Sequence, residues 1–313
     1  MKALVYRGSR GLAVEDTVVP RASEGEARVR VAAVGLCGSD VHFIQAGRHG
    51  GDHPRVLGHE FGGTLDDGQF VVVNLMVGCG LCRLCRQGST HLCAERRVIG
   101  YGAPSAFAEQ VVVPRRNAVP AASITPLQAV LVEPLATAVH AYNRAGRPTD
   151  GIAIIGAGAI GMCLPHVLDS YGVRGAVVVD PVPARQQHAL QAGAGKVAAR
   201  LEGQSFQCVF DAAGTDATRR DSLAFLVRGG LVVLIGLHDD DMTFSARDLI
   251  KNEVALIGCV AYTEAEFSEA IDLSRSLDPP WAEMVSLDDA PAAVTQILEG
   301  KAPGHRTRIV FEI

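Results

Sequence analysis

Residues 151–180 read GIAIIGAGAIGMCLPHVLDSYGVRGAVVVD, and this stretch limits the possible folds more than any other. Ile152–Ile155 are apolar without alternation, as a strand buried on both faces is. Gly156, Gly158 and Gly161 follow in a G-x-G-x-x-G pattern, then an amphipathic run and a second apolar strand ending at Asp180. The pattern alone is weak; leaving a strand and opening a helix, it becomes informative. Gly156 permits the tight turn, Gly158 lets backbone approach a pyrophosphate, and Gly161 lets helix pack on strand. Ala159 and Ile160 then lie at the positive end of that helix, where phosphate is stabilised. Asp180 stands where an acid accepts hydrogen bonds from both hydroxyls of an adenosine ribose. It repels a 2′-phosphate, so NAD is expected over NADP. Arg185, flanking the same ribose, leaves some tolerance for NADP. The plainer reading, a glycine-rich turn in some other doubly wound protein, leaves the agreement of turn, helix and acid unexplained.

Strand-like runs continue at the same spacing: CVFDAAG, GLVVLIGL and VALIGCV. Strands alternating with helices predict a parallel sheet with right-handed crossovers. Gly236 and Leu237, with residues 258–260, are expected at the nicotinamide end, although the same residues could simply pack. The first 120 residues are patterned differently. KALVY, ARVRVAAVG, QFVVVNLMV and AEQVVVP are short β-like runs between Gly, Pro and Asp turns. A helical segment follows Pro126 and ends at Gly146. After Tyr262, TEAEFSEAIDLSRSL and DDAPAAVTQILEG read as helices and TRIVFEI as a closing strand. At 313 residues and 48% hydrophobic content, two domains with ordinary cores are expected. A net charge of −5 without any Lys/Arg block predicts no nucleic-acid partner. The apolar runs are strand-length, short of the roughly 20 residues of a membrane span, and the N-terminus lacks an apolar signal segment. A cytoplasmic protein with reduced thiols is expected.

Half of the eight cysteines fall in CGLCRLCRQGSTHLC, as Cys79, Cys82, Cys85 and Cys93. In a reducing compartment such clustering favours metal over disulfides. Four thiolates saturate tetrahedral zinc, so this would be a closed, structural site, with Arg83 and Arg86 expected to offset its charge. Cys163, Cys208 and Cys259 read as small buried hydrophobes. A second ligand set is dispersed: Cys37, Ser39, Asp40 and His42 in GLCGSDVH, His59 and Glu60 in VLGHEFGG, Glu133 in LVEPLATAVH. Thiolate, imidazole and carboxylate suit zinc, and three protein ligands leave one position open for water or substrate. Each piece alone is more often structural. No other histidine matches a ligand pattern.

CGSDVH, GHEFGG, the four-cysteine run, VEPLATAVHA and GAGAIG…VVVD, in family order, resemble the zinc-containing medium-chain alcohol and polyol dehydrogenase family. Glutamate at position 133 is similar to its sorbitol, butanediol and threonine dehydrogenase branch. The resemblance implies an α/β protein. A GroES-like β-barrel catalytic domain (1–146 and 262–313, zinc lobe about 78–95) would carry an inserted Rossmann doubly wound parallel-sheet domain (147–261) binding NAD. It implies two zinc ions per chain, one structural and one catalytic. Cys37 and His59 would hold the catalytic ion, with Glu60 or Glu133 as third ligand and Asp40 fixing His59. A secondary alcohol of polyol, cyclitol or aminocyclitol type would bind zinc as an alkoxide and pass hydride to NAD. Ser39, the ribose hydroxyl and His42 would relay the proton. A homodimer or homotetramer is implied, often joined through the edge of the nucleotide sheet. The alternatives are a ketone reductase running the same chemistry backwards and a non-catalytic NAD- and zinc-binding relative. The intact ligand and relay set argues against the second. The chain departs from the pattern in GHEFGGTLDDGQFVVV and KVAARLEGQSFQCVFDAAG, both shortened, the latter losing most of a helix. Ser105 and Ala106 replace a glycine pair. Phe107 and Arg48 are expected to border the substrate cleft.

Overall fold

The computed structural model describes residues 1–8, 11–46, 54–101, 105–301 and 307–313; Arg48 lies outside them. The chain divides into two compact units, Met1–Glu133 with Thr263–Asp278 and Ala282–Ile313, and Pro134–Tyr262 with Pro279–Trp281. The division falls inside the helix Pro126–Arg144, ahead of the change in residue pattern at Gly146. That helix is buried from Ala129 to Tyr142 except at Glu133, so pattern alone does not reveal which core each half serves.

In the first unit the strand Glu26–Gly35 is the hub. It pairs antiparallel with Glu60–Leu65, Gln110–Pro114 and Arg308–Glu312. Its first half faces Gln110–Pro114 and its last residues face Arg308–Glu312, with a register shift between Val31 and Ala33. Such an irregularity bends a strand so that its two halves serve different neighbours. The shortened segment after His59 forms a tight hairpin, Glu60–Leu65 against Phe70–Val73. Its turn is closed by the Gln69 carbonyl accepting from Leu65 N–H at 2.9 Å. Gly68, at φ +88°, supplies the left-handed residue that the turn needs. Phe107, expected at the cleft, is instead a core residue: it is 2% exposed, stacked edge-on against Phe311 with centroids 5.4 Å apart. A side chain on Gly58 would run into the same ring, at 2.7 Å.

The second unit holds a six-stranded sheet, all parallel, in the order Lys196–Ala198, Val177–Val179, Ile152–Ile155, Phe206–Asp211, Leu226–Leu234, Ala255–Gly258. In chain order this is 3-2-1-4-5-6, the doubly wound arrangement whose ligand crevice opens at the carboxyl ends of the strands, where the order reverses. Helices Ala159–Ser170, Pro183–Gln191, Asp216–Ala224 and Ala246–Asn252 make four of the crossovers. The fifth, residues 199–205, has no helix. Leu201 covers the sheet instead, packed with Ala153, Ile155, Val177, Val179 and Val209. One leucine therefore stands in for a helix face. Leu201→Ala is expected to cost about 2–5 kcal/mol in denaturant unfolding, and a loss under about 0.5 kcal/mol would show that the linker is dispensable. Among the described residues no helix is long and apolar enough to cross a membrane.

Candidate active site and metal centres

Neighbouring strands bring the dispersed ligand set together. Cys37 follows the hub strand and precedes the helix Gly38–Gln45. Glu60 opens the adjacent strand opposite Gly35. Arg308 opens the strand on the hub's other side, where Val310 faces Gly35. One ligand atom each from Cys37, His59 and Glu60 lie within 4.8 Å of one another, His59 and Glu60 buried and Cys37 half-buried. Thiolate, imidazole and carboxylate so placed could hold zinc with a fourth position open. Glu133 falls outside this group; it is the one residue of Ala129–Tyr142 that is not buried.

Asp40 ties two of the ligands. Its Oδ2 accepts from Cys37 N–H at 3.0 Å and its Oδ1 lies 3.5 Å from His59 Nδ1, which leaves Nε2 for a metal. Burial raises the Cys37 thiol, but His59 and then Arg308 outweigh it and bring the thiol down to about 7. Burial lowers His59, but Asp40 and Cys37 outweigh it and hold the imidazole well above its ordinary range. A thiolate beside an imidazolium is the arrangement in which a cation replaces a proton, since metal ligands bind deprotonated. On these grounds the residues fit zinc.

Arg308 is the residue that sequence reasoning missed. It is 3% exposed, ion-paired with Glu60, which is 1% exposed, and donates from Nη1 to the Leu36 carbonyl at 2.7 Å. Gly35 makes room for the pair: a Cβ there would strike the Arg308 guanidinium and come within 2.7 Å of the Glu60 carboxylate. The signal in the sequence is an arginine opening an otherwise apolar strand, RIVF, where a buried cation requires a partner. The relay candidates share one helix. Ser39 Oγ is buried, and His42, one turn on, is exposed. Tyr101 places its ring 5.0 Å from that of His59.

The cysteine run forms a lobe closed by the ribbon Met76–Val77 against Arg97–Val98. The four ligand sulfurs lie within 4.8 Å of one another, Cys79 and Cys85 at 4.0 Å. That is far beyond a disulfide bond of about 2.05 Å and close to the spacing set by Zn–S bonds of about 2.3 Å in a tetrahedron. Backbone N–H groups of Cys82 and Cys85 donate to the sulfurs of Cys79 and Cys82, both at 3.4 Å. The N–H groups of Leu81 and Cys82 bring Cys79 down to about 7. At Cys85 the Gly80 N–H acts the same way, yet burial and the neighbouring thiols push it up to about 11. Deprotonated together, four sulfurs this close could hold a cation. Arg83 and Arg86, which flank the run, donate to Gln87 Oε1 and the Leu81 carbonyl.

The glycine loop joins the strand Ile152–Ile155 to the helix Ala159–Ser170. Gly156, at φ +94°, lies against Ala213, where a Cβ would come within 3.0 Å. Gly161 abuts the Gly156 carbonyl. A Cβ on Gly158 would meet nothing within 4 Å, so this backbone borders open space at the start of the helix Ala159–Ser170. Asp180 is buried; its carboxylate accepts from Ala157 N–H at 3.0 Å and Val182 N–H at 2.9 Å, and Arg185 Nη1 lies 3.7 Å away. The acid therefore fixes the loop. Gly236 packs backbone to backbone against Gly214, while Leu237 is 80% exposed. Cys163 and Cys208 are buried, and burial pushes Cys208 up to about 12, leaving it an inert thiol.

Residues 23–123 match the alcohol dehydrogenase GroES-like domain, and residues 159–276 match the zinc-binding dehydrogenase domain. L-galactonate-5-dehydrogenase of Escherichia coli K12 is 30% identical over 292 residues, which cover 86% of each chain. The chain belongs to the zinc-containing medium-chain alcohol dehydrogenase family. Within that family, sorbitol dehydrogenase of Bacillus subtilis is 28% identical over 291 residues, 84% of this chain and 82% of its own. A short chain alcohol dehydrogenase of Escherichia coli CFT073, solved with NADH, shares the fold at a TM-score of 0.90 and 25% identity, covering 100% of this chain and 99% of that one. The first unit is thus the GroES-like part of a medium-chain dehydrogenase and the parallel sheet its Rossmann part.

Proposed function

We propose that this dehydrogenase oxidises a secondary alcohol of polyol, cyclitol or aminocyclitol type with NAD, through a zinc site built on Cys37 and His59. The observation that carries the reading is the convergence of three different ligand types within 4.8 Å, beside an ion pair that ends on one of them. Bound there, zinc would polarise the alcohol oxygen while NAD took up the hydride. The chain's own residues do the rest. Cys37 and His59 hold the metal, and Asp40 keeps the imidazole in one tautomer. Glu60 is the nearest third ligand, shared with Arg308; Glu133 is the alternative, direct or through water. Ser39 accepts the alcohol proton, and the ribose hydroxyl and His42 carry it out, an imidazole being suited to release protons near neutral pH. Gly156, Gly158, Ala159, Ile160 and Gly161 cradle the pyrophosphate, and Asp180 with Arg185 holds the adenosine ribose. Cys79, Cys82, Cys85 and Cys93 hold the structural zinc.

In this reading residues 1–146 and 262–313 do the chemistry and 147–261 bind the nucleotide. The chain works in the cytoplasm as a homodimer or homotetramer. The strand Ala255–Gly258 supports the assembly: it ends the sheet, with Ala255, Gly258, Ile250 and Val260 exposed around it. The test is a screen for NADH formation over polyols, cyclitols, aminocyclitols and simple diols, with NADP in parallel and ketones with NADH for the reverse direction. Turnover with NAD and a secondary alcohol is expected. No turnover in either direction, together with only the tightly held zinc, would assign the chain to the non-catalytic reading.

A further inference from the structure

We propose that Arg219 is a positioning residue that fixes the nicotinamide-side wall of the cofactor site, an inference that rests on the dinucleotide reading above. Arg219 lies in the helix Asp216–Ala224, just beyond the strand Phe206–Asp211. An arginine on a short helix is ordinarily solvated; this one is 7% exposed. Its Nη1 donates to the Asp241 carbonyl at 2.9 Å and its Nη2 to the Gly236 carbonyl at 3.3 Å. Both carbonyls belong to the loop that leaves the next strand, Leu226–Leu234. One side chain therefore grips this loop at two points. Nearby, fully buried Asp211, its carboxyl raised by burial, is held by Ala213 and Gly214 N–H and the Thr218 hydroxyl.

The same two loops are joined elsewhere. Asp239 N–H donates to the Gly214 carbonyl at 3.0 Å, Asp216 N–H to Asp239 Oδ2 at 2.7 Å, and Thr243 N–H to Asp216 Oδ1 at 3.1 Å. Gly214 and Gly236 approach so closely that a Cβ on either would enter the other's backbone. Without the guanidinium, the loop keeps Asp239, Asp240 and Asp241 in succession, whose mutual repulsion favours opening it.

The position of this wall follows from the strand order. Asp180 follows the strand Val177–Val179 on one side of Ile152–Ile155, and Phe206–Asp211 and Leu226–Leu234 lie on the other. A dinucleotide with its adenosine ribose at Asp180 and pyrophosphate at Gly158 lays its nicotinamide half over the ends of those last two strands. Gly156 touches Ala213, Gly214 touches Gly236, and exposed Leu237 comes next, open to contact with a ring. Arg219 meets that path at the Gly236 carbonyl. It acts through that backbone.

The test uses the full chain and two probes, NADH and ADP-ribose, which lacks the nicotinamide, titrated calorimetrically. Arg219→Met removes two charged hydrogen bonds and is expected to weaken NADH about tenfold. ADP-ribose, bound at the far end, should change by less than about twofold. Arg219→Lys, a point charge without the fork, should fall between. Equal loss of both ligands indicates a merely structural role and overturns the proposal, as does loss of neither. A wild-type chain that binds neither probe sinks the dinucleotide reading itself, a result distinct from either. If Arg219→Met does not fold, Asp239→Asn, at a half-exposed side chain, weakens the bond to Asp216 N–H. It is expected to weaken NADH about threefold with ADP-ribose unchanged; unchanged NADH there also overturns the proposal.

Discussion

Cys37→Ala is expected to abolish NAD-dependent turnover and leave the fold in place. The thiol is one of the two firmest ligands of the proposed catalytic zinc, and a metal's stabilisation of developing charge amounts to several kcal/mol. Its loss should lower kcat by on the order of a thousandfold or more. Metal analysis should show the structural zinc retained and the other lost, because the cysteine lobe is closed by its own ribbon. The fold should survive, since the bond to Asp40 uses the Cys37 backbone N–H and not its sulfur. Turnover that persisted in the variant would remove the metal from the mechanism.

Arg308→Met should produce the largest loss of stability of any single change at the site. Both members of the pair with Glu60 are almost wholly buried. Removing one partner of such a pair costs about 3–5 kcal/mol, because it leaves an uncompensated charge, whereas replacing both by apolar groups is often neutral. Denaturant unfolding of chelator-treated protein should therefore show a large drop for Arg308→Met and substantial recovery when Glu60→Leu is added. A single variant within about 1 kcal/mol of wild type would mean that water already screens the pair.

The chemistry was more legible in the sequence than the architecture around it. The glycine loop could be read because each glycine answers a separate steric demand, and the structure shows the crowding at Gly156 and Gly161. The four cysteines could be read because close spacing forces sulfurs together whatever surrounds them. Arg308 could not be read with equal ease: it lies far from Glu60 in sequence, and only the register of the hub strand puts the two side by side. Phe107 was misplaced for a similar reason, since an aromatic residue near a motif looks the same whether it lines a cleft or fills a core. The place where one unit gives way to the other was hidden inside a continuous helix, where no break in periodicity marks it.

The hub strand's third partner has a consequence for biosynthesis. Glu26–Gly35 is made early, but Arg308–Glu312, which completes its pairing and brings the cation to Glu60, is made after the entire parallel sheet. Ribosomes add about 5–20 residues each second, and units fold as they emerge. The nucleotide-binding sheet, nearly continuous in sequence, can therefore be finished while the metal site still waits for its arginine. A nascent chain paused before Arg308 would hold Glu60 without its counter-charge, so the ion pair beside the ligand cluster is completed last, after the parallel sheet has been made.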